Sequence, residues 1–190
     1  VNVGDEGFEL IGKLEHLEYL DATDSPLTNA GLKPLGQLPS LKELILDISE
    51  VGDDGLEYLS EMKLLRRLSL SATRVCDPGL KHLVGLTTLE SLNLSNTSVT
   101  NHGLEHLREL HNLIHLDLEE NNIRDEGLAH LRKLTQLQSL TLNYNRITDE
   151  GAHWLKGFGE MKILNIKGNF ITDCKVAELI ESMPTATINH

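Results

Sequence analysis

Leucines recur along this chain at a fixed interval of 24 residues. In the stretch Leu137 to Lys162, apolar residues stand at Leu137, Leu140, Leu142 and Ile147 with Asn145 among them, and a shift of one interval lands on Leu113, Leu116, Leu118, Ile123 and Asn121. The frame begins at 17, 41, 65, 89, 113, 137 and 161, seven times without an insertion. A fixed period of this size marks a solenoid of stacked modules. Within a frame, Leu140 and Leu142 alternate with Ser139, Thr141 and Asn143, the period of two that predicts a short strand with one buried face. Further on, Leu128, Leu131 and Leu134 are spaced by three, which predicts a short helix with one apolar side. Each frame is one strand and one helix, and only stacking can bury its apolar face.

Other positions repeat with the same period. Asp125 and Asp149, the latter beside Thr148, stand just before the helices, where a side-chain oxygen is expected to accept from free amides of the first turn. Gly31, Gly55, Gly79, Gly103, Gly127 and Gly151 follow two residues after that position. Glycine in a helix costs about 1 kcal/mol relative to alanine, so its return implies either crowded backbones or an unusual φ. Leu27, Val51, Val75, Val99, Ile123, Ile147 and Ile171 form an aliphatic row expected in the core. Two places earlier lie Ser25, Ser49, Thr73, Thr97, Asn121, Asn145 and Asn169, short side chains suited to bonding backbone groups along a turn.

The pattern LxxLxLxxNxI followed by TDxGLxxL resembles the leucine-rich repeat, over essentially the whole chain. The second half is similar to the subtype seen in bacterial leucine-rich-repeat proteins and, in a longer cysteine-containing form, in F-box substrate receptors. The resemblance implies an α/β right-handed horseshoe with parallel strands on the concave face, short helices on the convex face, and a role as a protein-binding scaffold. Residues 1–190 then form a single domain: 1–16 a partial N-terminal repeat, 17–184 seven repeats, 185–190 a C-terminal end. At the start, Val3, Gly7, Phe8, Ile11 and Leu14 stand where Ile123, Gly127, Leu128, Leu131 and Leu134 stand later, so the chain enters in mid-repeat and reads as a fragment of a longer protein. In the last frame Lys175 replaces the glycine, and Val176, Leu179, Ile180 and Met183 predict a longer helix with one apolar face, stopped by Pro184 and followed by one final strand in 185–190.

Charge narrows the partner. Lys plus Arg number 17 against 29 Asp plus Glu, a formal charge of −12. Such a surface repels phosphates and anionic membranes, which argues against nucleic acid and lipid headgroups and is compatible with a basic protein partner. No apolar run is long enough to insert in a membrane. Cys76 and Cys174 are about four repeats apart, roughly 20 Å at strand spacing, too far for a disulfide. Free thiols favour a reducing compartment, so the expected localisation is cytoplasmic.

Strand residues between the leucines are free to vary and are the candidates for recognition. On the concave face the expected partner-binding residues are Tyr19, Asp21, Glu43, Ile45, Asp47, Ile48, Arg67, His115, Asp117, Glu119, Asn143 and Tyr144. Ile45 and Ile48, near Tyr19 and bordered by Glu43 and Asp47, form an apolar anchor ringed by acid; Tyr144 offers a second anchor. His115, Asp117 and Glu119 alternate along one strand and carry metal-ligand chemistry, but spread along a strand they fit a solvated polar face better than a metal site. His82, His106 and His130 share one helix position between Tyr58 and Trp154 and read as repeat consensus. No phosphate loop, HExxH, GxSxG or paired-cysteine zinc spacing is present, so no catalytic, metal or cofactor site is expected. The readings are a non-enzymatic protein-interaction scaffold binding through its concave face or, as the alternative, the substrate-recognition arm of a larger enzyme of ubiquitin-ligase or bacterial-effector type. The exposed repeat edge is in addition a surface for self-association.

Overall fold

Leucines placed every second residue give each strand one face that must leave water. In the computed structural model, which describes residues 3–190, they form eight three-residue strands. Val1 and Asn2, assigned above to the partial repeat, lie outside the described residues. The strands are β1 Tyr19–Asp21, β2 Glu43–Ile45, β3 Arg67–Ser69, β4 Ser91–Asn93, β5 His115–Asp117, β6 Ser139–Thr141, β7 Ile163–Asn165 and β8 Thr187–Asn189. All pair in parallel, in chain order, and a shift of one repeat pairs Leu20 with Leu44, Leu68, Leu92, Leu116, Leu140 and Leu164. Parallel strands need a crossover, and the helical segments supply it on the other side of the core. The result is an α/β horseshoe with one continuous core running from Phe8 to Met183.

The helices are α1 Asp5–Ile11, α2 Asn29–Leu35, α3 Asp77–Leu80, α4 Asn101–Leu104, α5 Asp125–Leu131, α6 Asp149–Leu155 and α7 Asp173–Ser182. Asp53–Leu59 is a 3-10 helix throughout, and α3 and α4 pass into 3-10 turns at Lys81–Leu83 and Glu105–Leu107. Leucines spaced by three suit a 3-10 turn, because three residues per turn place i and i+3 on one line, though α2 and α5 carry the same spacing and stay α-helical. Val176 and Leu179 of α7 and Met183 just past its end are buried as expected, but Ile180 is 49% exposed: it falls off that line. Ile171 is likewise only half-buried, since the last module has a neighbour on one side, and Leu14 is exposed at the opposite end of the stack.

The acids before the helices do not serve their own first turn. Asp125 instead reaches the next repeat, where Oδ1 accepts from the Thr148 amide at 2.8 Å and Oδ2 from the Thr148 hydroxyl at 2.7 Å. Asp5 holds Thr28, Asp77 holds Thr100 and Asp149 holds Thr172 in the same two-bond way. Where the receiving residue has no side-chain hydroxyl, as at Gly52, Cys76 and Arg124, the acceptors Asn29, Asp53 and Asn101 hold the amide alone. The helix's own amide is capped by threonine: Thr148 accepts from Glu150 at 3.3 Å.

This clamp explains the repeated glycine. A Cβ on Gly79 or Gly103 would stand 2.5 Å from the Oδ1 of Asp53 or Asp77, and on Gly55 or Gly127 within 2.7 Å of the Oδ1 of Asn29 or Asn101. None of these glycines has a positive φ, so crowding is the reason and conformation is not. The positive φ lies elsewhere, one residue beyond the concave strand rows: Asp24, Ile48, Ala72, Asn96, Glu120, Tyr144 and Gly168 all fall between 50° and 71°.

Candidate functional site

Three rows of side chains cover the open face of the sheet. In the first, Tyr19 pairs across the strands with Glu43, then Arg67, Ser91, His115, Ser139 and Ile163; in the second, Asp21 leads to Ile45, Ser69, Asn93, Asp117, Thr141 and Asn165. The third row lies just past the strands and holds Asp47, Glu119 and Asn143. Leucines point into the core from between these rows, which leaves the rows free of packing duty.

Many of the polar side chains here turn back onto the backbone. Asp21 Oδ1 accepts from the amide and hydroxyl of Thr23 at 2.9 and 2.7 Å, and these bonds, the hydroxyl's first, hold its carboxyl below the usual carboxylate range. Asp47 Oδ1 accepts from the Ser71 amide at 2.8 Å and the Ser69 hydroxyl at 2.6 Å. Asn143 Oδ1 accepts from Lys167, and its amide nitrogen donates to Glu119 at 2.8 Å. Asp117 accepts from the Glu119 amide at 2.9 Å, yet burial pushes its carboxyl up, with the Glu119 charge adding to that. Arg67 lies 3.7 Å from Glu43, an exposed pair of little energetic weight.

The apolar anchors divide between two places. Tyr19 is 52% exposed on β1, and Ile45 is half-buried one strand away in the neighbouring row. Ile48 and Tyr144, expected on the concave face itself, sit instead in the turn at its rim, at φ 56° and 54°. Ile48 is 58% exposed; the Tyr144 ring lies over Gly168, so close that a Cβ there would meet it. Left-handed backbone is costly for a β-branched residue. Sequence reasoning missed this turn, although Asp24, Asn96 and Gly168, the residues that tolerate it, occupy the same position.

His115, Asp117 and Glu119 share a face without converging, and no group of three potential ligands that could hold a metal exists among the described residues. His82, His106 and His130 are half-buried on the convex side. Both cysteines are free thiols, Cys76 with its thiol pushed up by burial and by the Asp53 charge. Among the described residues no helix is long and apolar enough to cross a membrane.

A family model described as leucine rich repeat matches residues 87–147. No curated protein matches the chain. Among solved structures, internalin C2 of Listeria monocytogenes aligns with a TM-score of 0.80 at 26% identity, over 100% of this chain and 77% of its own. An internalin (inlF) of the same organism aligns with a TM-score of 0.72 at 22% identity over 99% of this chain, which spans 57% of that one. A plant peptide hormone receptor, RGFR1, solved in complex with RGF2, aligns with a TM-score of 0.66 at 18% identity over 95% of this chain and 29% of the receptor. Seven repeats in register, the family match within them and the shared fold of these neighbours make this chain a leucine-rich-repeat protein.

Proposed function

We propose that the chain is a protein-interaction scaffold that holds a protein partner on its concave face, centred on β1 to β3. One observation carries this reading: Tyr19, Ile45 and Ile48 keep apolar surface at or beside an open sheet face, with Asp21, Glu43 and Asp47 around them. A central apolar anchor with a charged rim is how protein interfaces concentrate binding energy. The rim is acidic, as is the whole chain at −12, so the partner fits best if basic. That a receptor of the same fold was solved with RGF2 bound supports a binding role. The reading assigns no reaction to the chain, and it places the chain where Cys76 and Cys174 stay reduced.

Affinity capture with the full-length protein tests it. Tyr19→Ala and Ile48→Asp alter exposed side chains, and each should lose the partner while the circular dichroism spectrum stays unchanged. Salt should weaken the wild-type complex, because the rim attraction is screened. Undiminished capture by both variants would overturn the assignment.

A further inference from the structure

A second surface lies on the flank of the horseshoe where the strands end. Beyond the left-handed turn, Arg74, Ser98, Asn122 and Phe170 each form a backbone bridge to the preceding repeat, with Gly52, Cys76, Thr100 and Thr148. These rungs hold two exposed rows in step with the repeats: one runs from Asp24 through Ile48 to Tyr144, the other from Pro26 through Glu50 to Phe170. At 68%, Phe170 is the most exposed large apolar side chain among the described residues.

The two ends of this flank are complementary. Consider a half-turn about an axis lying in the flank and passing through the middle frame at Asn96 and Ser98. It carries the second frame onto the sixth and the first onto the seventh. Ile48 of one copy then faces Tyr144 of the other, Glu50 faces Arg146, and Pro26 faces Phe170. Each contact occurs twice, as an isologous interface requires. Arg146, Tyr144 and Phe170, with Glu120 and Asn122, also border an open depression of about 500 Å³, into which the second copy's Ile48 would project.

We propose that this flank is a homodimer interface, two copies lying side wall to side wall around the middle repeat with their concave faces open to the same side. Glu50 of each copy meets Arg146 of the other, and the exposed Ile48, Tyr144 and Phe170 gain cover. Seven repeats at about 4.8 Å spacing give a strip roughly 30 Å long, which with two side-chain rows buries on the order of 500 Å² per copy. That is the low end for specific association, so the dimer is weak. The surface shares Ile48 with the proposed partner anchor but none of the concave strand rows, and its test, made through Glu50 and Arg146, is separate from partner capture.

Sedimentation velocity between about 2 and about 200 µM, the concentrations at which a weak dimer forms, reads it. The wild type should pass from monomer to dimer across this range. Glu50→Arg and Arg146→Glu each place like charges together at both contacts and should stay monomeric. Mixing the two variants restores an opposite pair at both contacts, so the mixture should dimerise about as well as the wild type. A wild type that stays monomeric, single variants that dimerise normally, or a mixture that does not recover would each overturn the proposal. Both substitutions are on exposed side chains, and the Glu50 pair with Arg74 at 3.4 Å is a surface contact, so folding is not at stake.

Discussion

The first four repeats and the last three solve one problem differently. At the turn after each strand the early repeats carry a hydroxyl, and it bonds within its own module: Ser49 donates to the Leu46 carbonyl at 2.6 Å, Thr73 to Leu70 at 2.7 Å and Thr97 to Leu94 at 2.8 Å. The late repeats carry asparagine, which reaches across. Asn145 Oδ1 accepts from the Ile123 amide at 2.9 Å, while its nitrogen donates to the Leu118 carbonyl at 2.8 Å in the preceding repeat. Asn121 and Asn169 do the same for Val99 and Ile147. The corresponding amides of Val51 and Val75, in fully buried residues, make no hydrogen bond among the described residues. A buried amide without a partner costs about 1 to 3 kcal/mol, so the N-terminal half is the less tightly tied. That half also carries the strained, exposed Ile48 and the anchor beside Tyr19. Binding surfaces are drawn from the looser parts of a structure.

The largest effect should come from cutting the late ladder. Asn145→Ala leaves Ile123 without an acceptor and should cost about 3 kcal/mol in urea unfolding, against about 1 kcal/mol for Thr73→Ala. Next is the acid and glycine pair that both halves share. Gly103→Ala should cost about 2 kcal/mol, because the added methyl meets Asp77. With Asp77→Ala already in place, the same change should cost clearly less, since the closest contact is gone and only the Leu80 and Val99 methyls, 3.0 and 3.1 Å from the added carbon, remain to give way. Two additive losses would separate the glycine from the clamp.

The other expected effects are gains. Ile48→Asn should add about 1 kcal/mol in thermal unfolding by relieving the left-handed backbone at a β-branched residue. Asp117→Asn is smaller still. Burial raises the folded pKa of Asp117 above its unfolded value, so the favourable contribution of its protonated form is present at acid pH and is lost as pH rises through the folded pKa. The variant should be slightly more stable at neutral pH and no more stable in acid, because Asn93 shows that an asparagine makes the same bond, to Ser95 at 2.9 Å.

Period and leucine spacing made the architecture legible, because a core that must be continuous leaves little choice of fold. The final strand and the polar ladder were legible on the same ground. The role of Asp125 and Asp149 was not, since a residue before a helix looks like a cap for that helix until the next repeat is seen beside it. The turn at Ile48 and Tyr144 escaped as well: a left-handed position is announced by glycine, asparagine or aspartate, and only Asp24, Asn96 and Gly168 carry that sign among seven residues. The strand rows of the candidate face followed directly from the alternation, but the flank did not, because its rungs exist only between modules.

Native-state hydrogen exchange on the amides of Val51, Val75, Val99, Ile123 and Ile147 tests the difference between the two halves directly. The expected result is exchange at Val51 and Val75 at least about tenfold faster than at the three asparagine-bonded amides, the ratio that about 1.4 kcal/mol of local opening free energy gives. Equal protection along all five would contradict it.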